Sequence, residues 1–261
     1  MLIPCESRRG LLNLGQTCFL NVILQSFIHN PLLRNYFLSG KHSRAMCKNT
    51  DCTCCELDNL FSEIYSGETG PYGPVSFLAT TWRASSELAG YSQQDAHEFF
   101  ITALNQIHAT SRGSTNVSCN CIIHSTFLGQ LQSEVKCERC GTITSTVDPM
   151  LDISLEVEGD KDSEATLGSC LRRFTKPETL GSKEYSCSKC KQTPHVSFVF
   201  SPAHPYLTDH AELQQVTKQL SIRELPPVLS VQFKVKIELN RYPISKVTRC
   251  CPAEIRASNI R

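Results

Sequence analysis

The stretch Gly10-Leu11-Leu12-Asn13-Leu14-Gly15-Gln16-Thr17-Cys18-Phe19-Leu20-Asn21 sets one cysteine where a polar, glycine-bearing loop becomes an apolar helix. Downstream, Leu20, Ile23, Leu24, Phe27 and Ile28 recur at helical spacing and Asn30-Pro31 closes the pattern, so a buried helix is expected from about Cys18 to His29. The first-turn amides of such a helix point at the thiol and favour the thiolate, which makes Cys18 a candidate nucleophile. Asn13 lies on the loop facing the same pocket, where its side-chain amide can donate to an oxyanion. The alternative is that Cys18 is a small buried hydrophobe, the usual fate of a free cysteine.

The rest of the chain sets bounds on that reading. Its 261 residues suit one large or two small domains, and 40% apolar content is ordinary for a folded protein. With 26 basic and 25 acidic residues the net charge is +1, so no bulk field marks a nucleic-acid or membrane-surface binder. No basic stripe or base-reading helix points to sequence-specific nucleic-acid contact. The N-terminus carries no signal pattern and no apolar run approaches the length of a membrane span, so a soluble, intracellular protein is expected. Fifteen cysteines in such a setting point to metal rather than disulfides, because cytosol and nucleus keep thiols reduced.

The first half of the chain is helical and the second β-rich. Leu57, Leu60, Phe61 and Ile64 form one stripe between Glu56 and Tyr65, and turn-rich sequence follows from Gly67 to Gly73. A third helix is expected after Tyr91-Ser92, with Ser92 and Asp95 read as a capping box and Ala96, Phe99, Phe100, Ala103, Leu104 and Ile107 as its stripe. Strands are expected at Phe127 to Lys136, Ile143 to Val147 and Ile153 to Val157, followed by an acidic loop from Glu158 to Glu164 and a short helix from Leu167 to Phe174.

Three sets of cysteine and histidine suit metal. Cys137-Glu138-Arg139-Cys140 and Cys187-Ser188-Lys189-Cys190 are two Cys-x-x-Cys knuckles, which together make the tetrahedral sulfur cage of structural zinc. His42, Cys47, Cys52 and Cys55 fall in a short polar loop that has little to bury, where a metal cross-link would supply the missing free energy. Cys54 competes for the fourth place, and knuckle spacing with Cys52 favours Cys55. Cys119, Cys121 and His124 form a Cys-x-Cys-x-x-His set, with His108 as fourth ligand or else an ordinary helix-end histidine. Four protein ligands leave no open position for water, so none of these metals is expected to be catalytic.

The box Gly-Leu-x-Asn-Leu-Gly-x-Thr-Cys-Phe-x-Asn, with Leu24-Gln25-Ser26-Phe27 after it, resembles the cysteine box of the ubiquitin-specific proteases, the papain-like deubiquitinases. Val22 to Pro31 is similar to the branch found in the SAGA transcriptional co-activator. The resemblance implies an α+β papain-like fold with a helical thumb, zinc-bearing β fingers and a palm. On this chain these would be residues 1–110, 111–192 and 216–234, with the palm largely missing. It also implies Cys18 as nucleophile and Asn13 as oxyanion donor. Ser92-Gln93-Gln94-Asp95-Ala96-His97-Glu98-Phe99 resembles the family motif that grips the extended tail of ubiquitin, which implies substrate contacts from Gln94, Asp95 and Glu98, while helix physics alone gives Asp95 a capping role. The branch further supports the assignment of Cys55 and of the His108 set, and implies a nuclear enzyme, also open to the cytoplasm, that removes ubiquitin from histone within a SAGA-type complex.

Two segments depart from the pattern. Residues 193–215 read as an insertion and 235–261 as a tail unlike the family, and no Gly-His dipeptide, the family's base motif, occurs in the sequence. These departures read as retained intron or alternative transcript sequence and give a C-terminally truncated chain. A histidine base is needed to move protons in both halves of the reaction. The competing expectation is therefore an inactive, zinc-stabilised fragment that binds ubiquitin or complex subunits.

Overall fold

The computed structural model describes residues 9–90, 94–111, 119–157, 166–180, 185, 187–190 and 216–234. They fall into two compact units, Met1–Leu128 and Gly129–Arg261. The acidic loop, the 193–215 segment and the 235–261 tail lie outside the described residues.

The first unit is helical. α1 (Cys18–His29) carries its apolar stripe inward as Phe19, Leu20, Leu24, Phe27 and Ile28. Asn30 ends it and at once caps α2 (Pro31–Leu38), accepting from the amides of Leu32 and Leu33 with Pro31 in the first turn. The sequence reading treats Asn30-Pro31 only as a stop, yet a proline with a capping asparagine before it also starts a helix. α3 (Thr53–Ile64) begins three residues earlier than its apolar stripe suggests, because Thr53, Cys54, Cys55 and Glu56 are buried in its first turn. α4 (Val75–Ala84), also unforeseen, is followed by a 3-10 turn at Ser86–Leu88.

α5 (Ala96–Thr110) starts later than the capping-box reading has it. Asp95 is itself the cap, accepting from the amides of His97 (2.6 Å) and Glu98 (3.1 Å), and Ser92 lies outside the described residues. α6 (Ile122–Phe127) closes the unit, so the boundary falls near residue 128 rather than 110. Burial explains the shift: the Phe127 ring packs on Phe27 (6.4 Å) and Phe100 (6.0 Å), which ties 122–127 into the helical core. Phe37 and Phe61 stack at 5.1 Å between α2 and α3. Each fully buried side chain of this size contributes about 1.5–3 kcal/mol.

The second unit is a sheet of order β2-β1-β5-β4. Its strands are β1 (Gly129–Cys137), β2 (Ile143–Met150), β4 (Glu178–Leu180) and β5 (Val216–Glu224). All pairings in it are antiparallel, and Cys137 lies opposite Val216 at the end of the ladder. Gly129 opens β1 because any Cβ there would meet Glu224 O at 2.7 Å and Pro226 Cδ at 2.8 Å. A separate parallel pair joins β3 (Ile153–Glu156) to β6 (Val231–Lys234). The segment 216–234, read as the start of the palm, is thus divided: β5 belongs to the sheet that carries the first knuckle, and β6 pairs elsewhere. α7 (Leu167–Phe174), held by a Thr166–Ser169 capping box, covers a small core of Met150, Ile153, Leu155, Cys170 and Leu171.

Candidate active site and metal centres

Cys18 is the first residue of α1 and is exposed. The loop before it is built from its own side chains. Asn13 Oδ1 accepts from Gly15 N (3.2 Å), Thr17 N (3.1 Å) and Thr17 Oγ1 (3.1 Å), while Thr17 Oγ1 accepts from Leu14 N (3.0 Å). This inward curl uses left-handed backbone at Gly15 (φ 96°) and, at greater cost, at Gln16 (φ 53°). Asn21 Nδ2 donates to Leu12 O at 3.0 Å and ties the loop to the second turn of the helix. Further back, Gly10 O accepts from Tyr72 N and Leu12 N donates to Tyr72 O, both at 2.8 Å. Arg9 reaches Glu63 (2.8 Å), Glu68 (3.2 Å) and Gly70 O (3.1 Å).

No side chain caps α1. Its first-turn amides are therefore left without a side-chain partner at the end of the helix that carries the thiol. An exposed sulfur there, with hydrogen-bond donors at hand, can attack a carbonyl and leave the resulting oxyanion stabilised.

Phe19, next to Cys18, packs edge-on against Phe99, next to Glu98, with ring centroids 5.6 Å apart. That contact sets the N-terminal turns of α1 and α5 side by side. It brings exposed Asp95 and Glu98 and half-buried Gln94 to the same end of the helical layer as the thiol. Asp95 is engaged as a cap, so its charge is anchored at the dipole end of α5.

All three metal sets are assembled, each with its ligand atoms within 4.8 Å of one another. Four ligands about one zinc, sulfur at about 2.3 Å and nitrogen at about 2.0 Å, put their atoms about 3.5–3.8 Å apart. In the first set His42 Nε2 is 3.2 Å from Cys55 Sγ and 3.5 Å from Cys52 Sγ, and Cys47 completes it. Cys54 turns away into the core, where its thiol donates to Ile107 O and accepts from Thr110 Oγ1 at 3.2 Å. Burial pushes the Cys54 thiol up to about 12, against the opposing Thr110 hydrogen bond, and it is the direction of its side chain, away from His42, that leaves it out of the set.

In the second set His108 Nδ1 is 3.2 Å from Cys121 Sγ, with Cys119 and His124 completing the group. His124 Nδ1 is buried without a hydrogen-bond partner. A ring nitrogen so placed costs about 1–3 kcal/mol unless something binds it, and a metal ion does. In the third set Cys137 Sγ lies 3.9 Å from Cys190 Sγ and Cys140 Sγ 3.6 Å from Cys187 Sγ. These are distances for sulfurs sharing an ion rather than a disulfide bond. Cys137 to Thr142 form the tight turn of the β1–β2 hairpin, with Gly141 left-handed (φ 68°) and its amide donating to Cys137 O. Hydrogen bonds from Thr142, hydroxyl first and then backbone amide, hold Cys140 down to about 6, in the thiolate form that a metal takes. The donor chemistry of all three sets fits zinc.

The sequence reading passed over Thr17 and Asn21 as individuals, although both stand in the cysteine box. It also passed over the Arg9 clamp, whose acidic partners are more than 50 residues away and carry no local signal.

The helical unit carries an exposed thiol at a helix head and the sheet unit a four-thiol knuckle, which together make a protein of mixed α and β architecture. The chain belongs to the ubiquitin carboxyl-terminal hydrolase family, whose model matches residues 9–256. That span runs across the two segments in which no family motif is evident. The probable ubiquitin carboxyl-terminal hydrolase 8 of Schizosaccharomyces pombe is 40% identical over 239 residues, covering 91% of this chain and 46% of its own. The human ubiquitin carboxyl-terminal hydrolase 22 is 39% identical over 255 residues, covering 87% and 45%. The chain thus spans about half the length of these relatives. Among solved structures, the SAGA DUB module of Ubp8, Sgf11, Sus1 and Sgf73 bound to monoubiquitin matches 90% of this chain and 50% of the other, at 35% identity and a TM-score of 0.66. The same module bound to ubiquitin aldehyde matches at 34% identity and a TM-score of 0.67, covering 90% and 49%. The fold is that of the ubiquitin-specific proteases, close to the SAGA branch.

Proposed function

We propose that the chain carries the nucleophile-bearing part of a thiol-dependent deubiquitinase. The observation that carries this reading is the exposed Cys18 at an uncapped helix head, preceded by a loop in which the carbonyl oxygen of Asn13 is fully engaged. The Cys18 sulfur attacks the carbonyl carbon of ubiquitin's C-terminal glycine, and the oxygen takes the negative charge next to Asn13 Nδ2 and the first amides of α1. The tetrahedral species then collapses, the isopeptide C–N bond breaks, and the departing lysine amine takes a proton. Water later cleaves the thioester and frees ubiquitin. Gln94, Asp95 and Glu98 hold the extended tail so that its last glycine meets Cys18.

Zinc in the three sets serves as a structural cross-link. His42, Cys47, Cys52 and Cys55 hold one ion, His108, Cys119, Cys121 and His124 a second, and Cys137, Cys140, Cys187 and Cys190 a third. The names of the matched modules support ubiquitin as ligand and partners like Sgf11, Sus1 and Sgf73; a nuclear setting and ubiquitinated histone as substrate extend the same reading. A second reading, ubiquitin binding and thiol capture without turnover, is favoured by one observation: these 261 residues contain no Gly-His dipeptide.

Two assays on the purified chain test this. A ubiquitin with a C-terminal electrophile is expected to label Cys18, read by mass spectrometry, and a fluorogenic ubiquitin substrate reports turnover. Labelling with turnover supports the enzyme, labelling without it the second reading, and absence of labelling overturns both.

A further inference from the structure

We propose that Thr17 is the positioning residue of this site: its hydroxyl forgoes capping α1 and instead locks the Asn13 amide so that Nδ2 is the end presented to an oxyanion. The inference rests on the deubiquitinase reading of Cys18.

A threonine immediately before a helix ordinarily turns its oxygen onto the first-turn amides, as Asn30 does for α2 and Asp95 for α5. Thr17 occupies that place and does not do so. Its single hydroxyl hydrogen goes to Asn13 Oδ1 at 3.1 Å and its lone pair accepts from Leu14 N at 3.0 Å. Thr17 is only 3% exposed, so water cannot replace the hydroxyl. Asn13 itself is exposed.

The consequence for the amide is directional. Oδ1 receives three donors, two of them from Thr17; flipping the amide would set Nδ2 hydrogens against the Gly15 and Thr17 backbone amides and would give up the hydrogen bond donated by the Thr17 hydroxyl. One orientation is therefore strongly preferred, with the donor end outward. The same choice by Thr17 leaves the head of α1 without a side-chain cap, so its amides stay available to the same developing charge. Gly15 and Gln16, both left-handed, supply the turn that carries Thr17 back over Asn13.

The test uses ubiquitin aldehyde. The Cys18 thiolate adds to the aldehyde carbon, the carbonyl π pair moves onto oxygen, and that oxygen takes a proton from water, with no group leaving. Ordinary ubiquitin, ending in a carboxylate, forms no such adduct and reports binding alone. Thr17→Val is expected to weaken aldehyde binding about tenfold while ubiquitin binding and the iodoacetamide alkylation rate of Cys18 stay within about twofold. Thr17→Ser should keep the wild-type aldehyde affinity and Thr17→Ala lose it. This pair differs only in the hydroxyl and stands in if the valine variant does not fold. In an Asn13→Ala background Thr17→Val should add nothing, because the group it positions is gone. Equal weakening of both ligands, no weakening of either, or full additivity with Asn13→Ala would overturn the inference. If the unsubstituted chain binds neither ligand, the deubiquitinase reading falls with it. If it binds the aldehyde and every Thr17 variant does too, Thr17 alone is wrong.

Discussion

The two units use the same metal-ligand chemistry for different structural ends. In the helical unit the largest fully buried side chains, among them Phe27, Phe37, Phe61 and Phe99, form a core that holds α1 to α5 by burial. The two candidate metal sets there lie where burial is thinner, in the loop before α3 and at the approach to α6. Among the described residues of the sheet unit the main buried cluster is small, Met150, Ile153, Leu155, Cys170 and Leu171, and β2 is exposed along all but its last residue. A strand with so little covered surface is marginal by itself. The Cys137–Cys190 set closes the far end of that ladder, where Cys137 pairs with Val216. A metal ion held by these sets would be an accessory in one unit and a main support in the other.

The comparison is broken most sharply at Cys18. Cys18→Ala is expected to abolish adduct formation with a ubiquitin electrophile while changing stability by no more than about 0.5 kcal/mol, because the side chain is exposed. Mass spectrometry and a thermal melt check the two halves, and a large stability loss would mean that the nucleophile is also a packing residue. Next in size, Phe61→Ala should cost about 3–5 kcal/mol, since it removes a stacked, fully buried ring. Denaturant unfolding measures it, and the loss should persist with zinc present.

Removing metal should reverse the ranking of the units. Chelation, or Cys187→Ser, is expected to cut amide-exchange protection in Gly129–Cys137 and Val216–Glu224 by roughly a hundredfold, equivalent to about 3 kcal/mol. Protection in α1 and α5 should fall by less than about tenfold, since their amides are shielded by the aromatic core. Equal losses in both units would sink the distinction. Smallest is Asp95. Asp95→Ala should cost about 1 kcal/mol as a lost cap, whereas Asp95→Asn should spare stability because asparagine caps equally well. If Asp95 also meets the ubiquitin tail, the asparagine variant weakens ubiquitin binding several-fold at unchanged melting temperature, which a titration checks.

Elements with a strong local signal were readable from sequence. The stripe from Leu20 to Ile28 announced α1, the knuckles announced the hairpin turn, and Leu167 to Phe174 announced α7. α2, α4 and α6 were not, because each is short and is held by what it packs against: α2 by the Phe37–Phe61 stack, α6 by Phe127 against Phe27 and Phe100. The pairing of β5 with β1 was not legible for a related reason, since Val216 opposite Cys137 joins residues far apart in the chain and strand pattern says nothing about partners.

The sequence by itself determined the family and grouped most of the candidate metal ligands, because these depend on residue type and short spacing. Only the tertiary structure decided that Cys55 rather than Cys54 faces His42, that His108 joins Cys119, Cys121 and His124, and that Thr17 serves Asn13 instead of its own helix. In each case neighbouring groups compete for one partner. Burial and direction settle the competition, and both exist only once distant segments have packed.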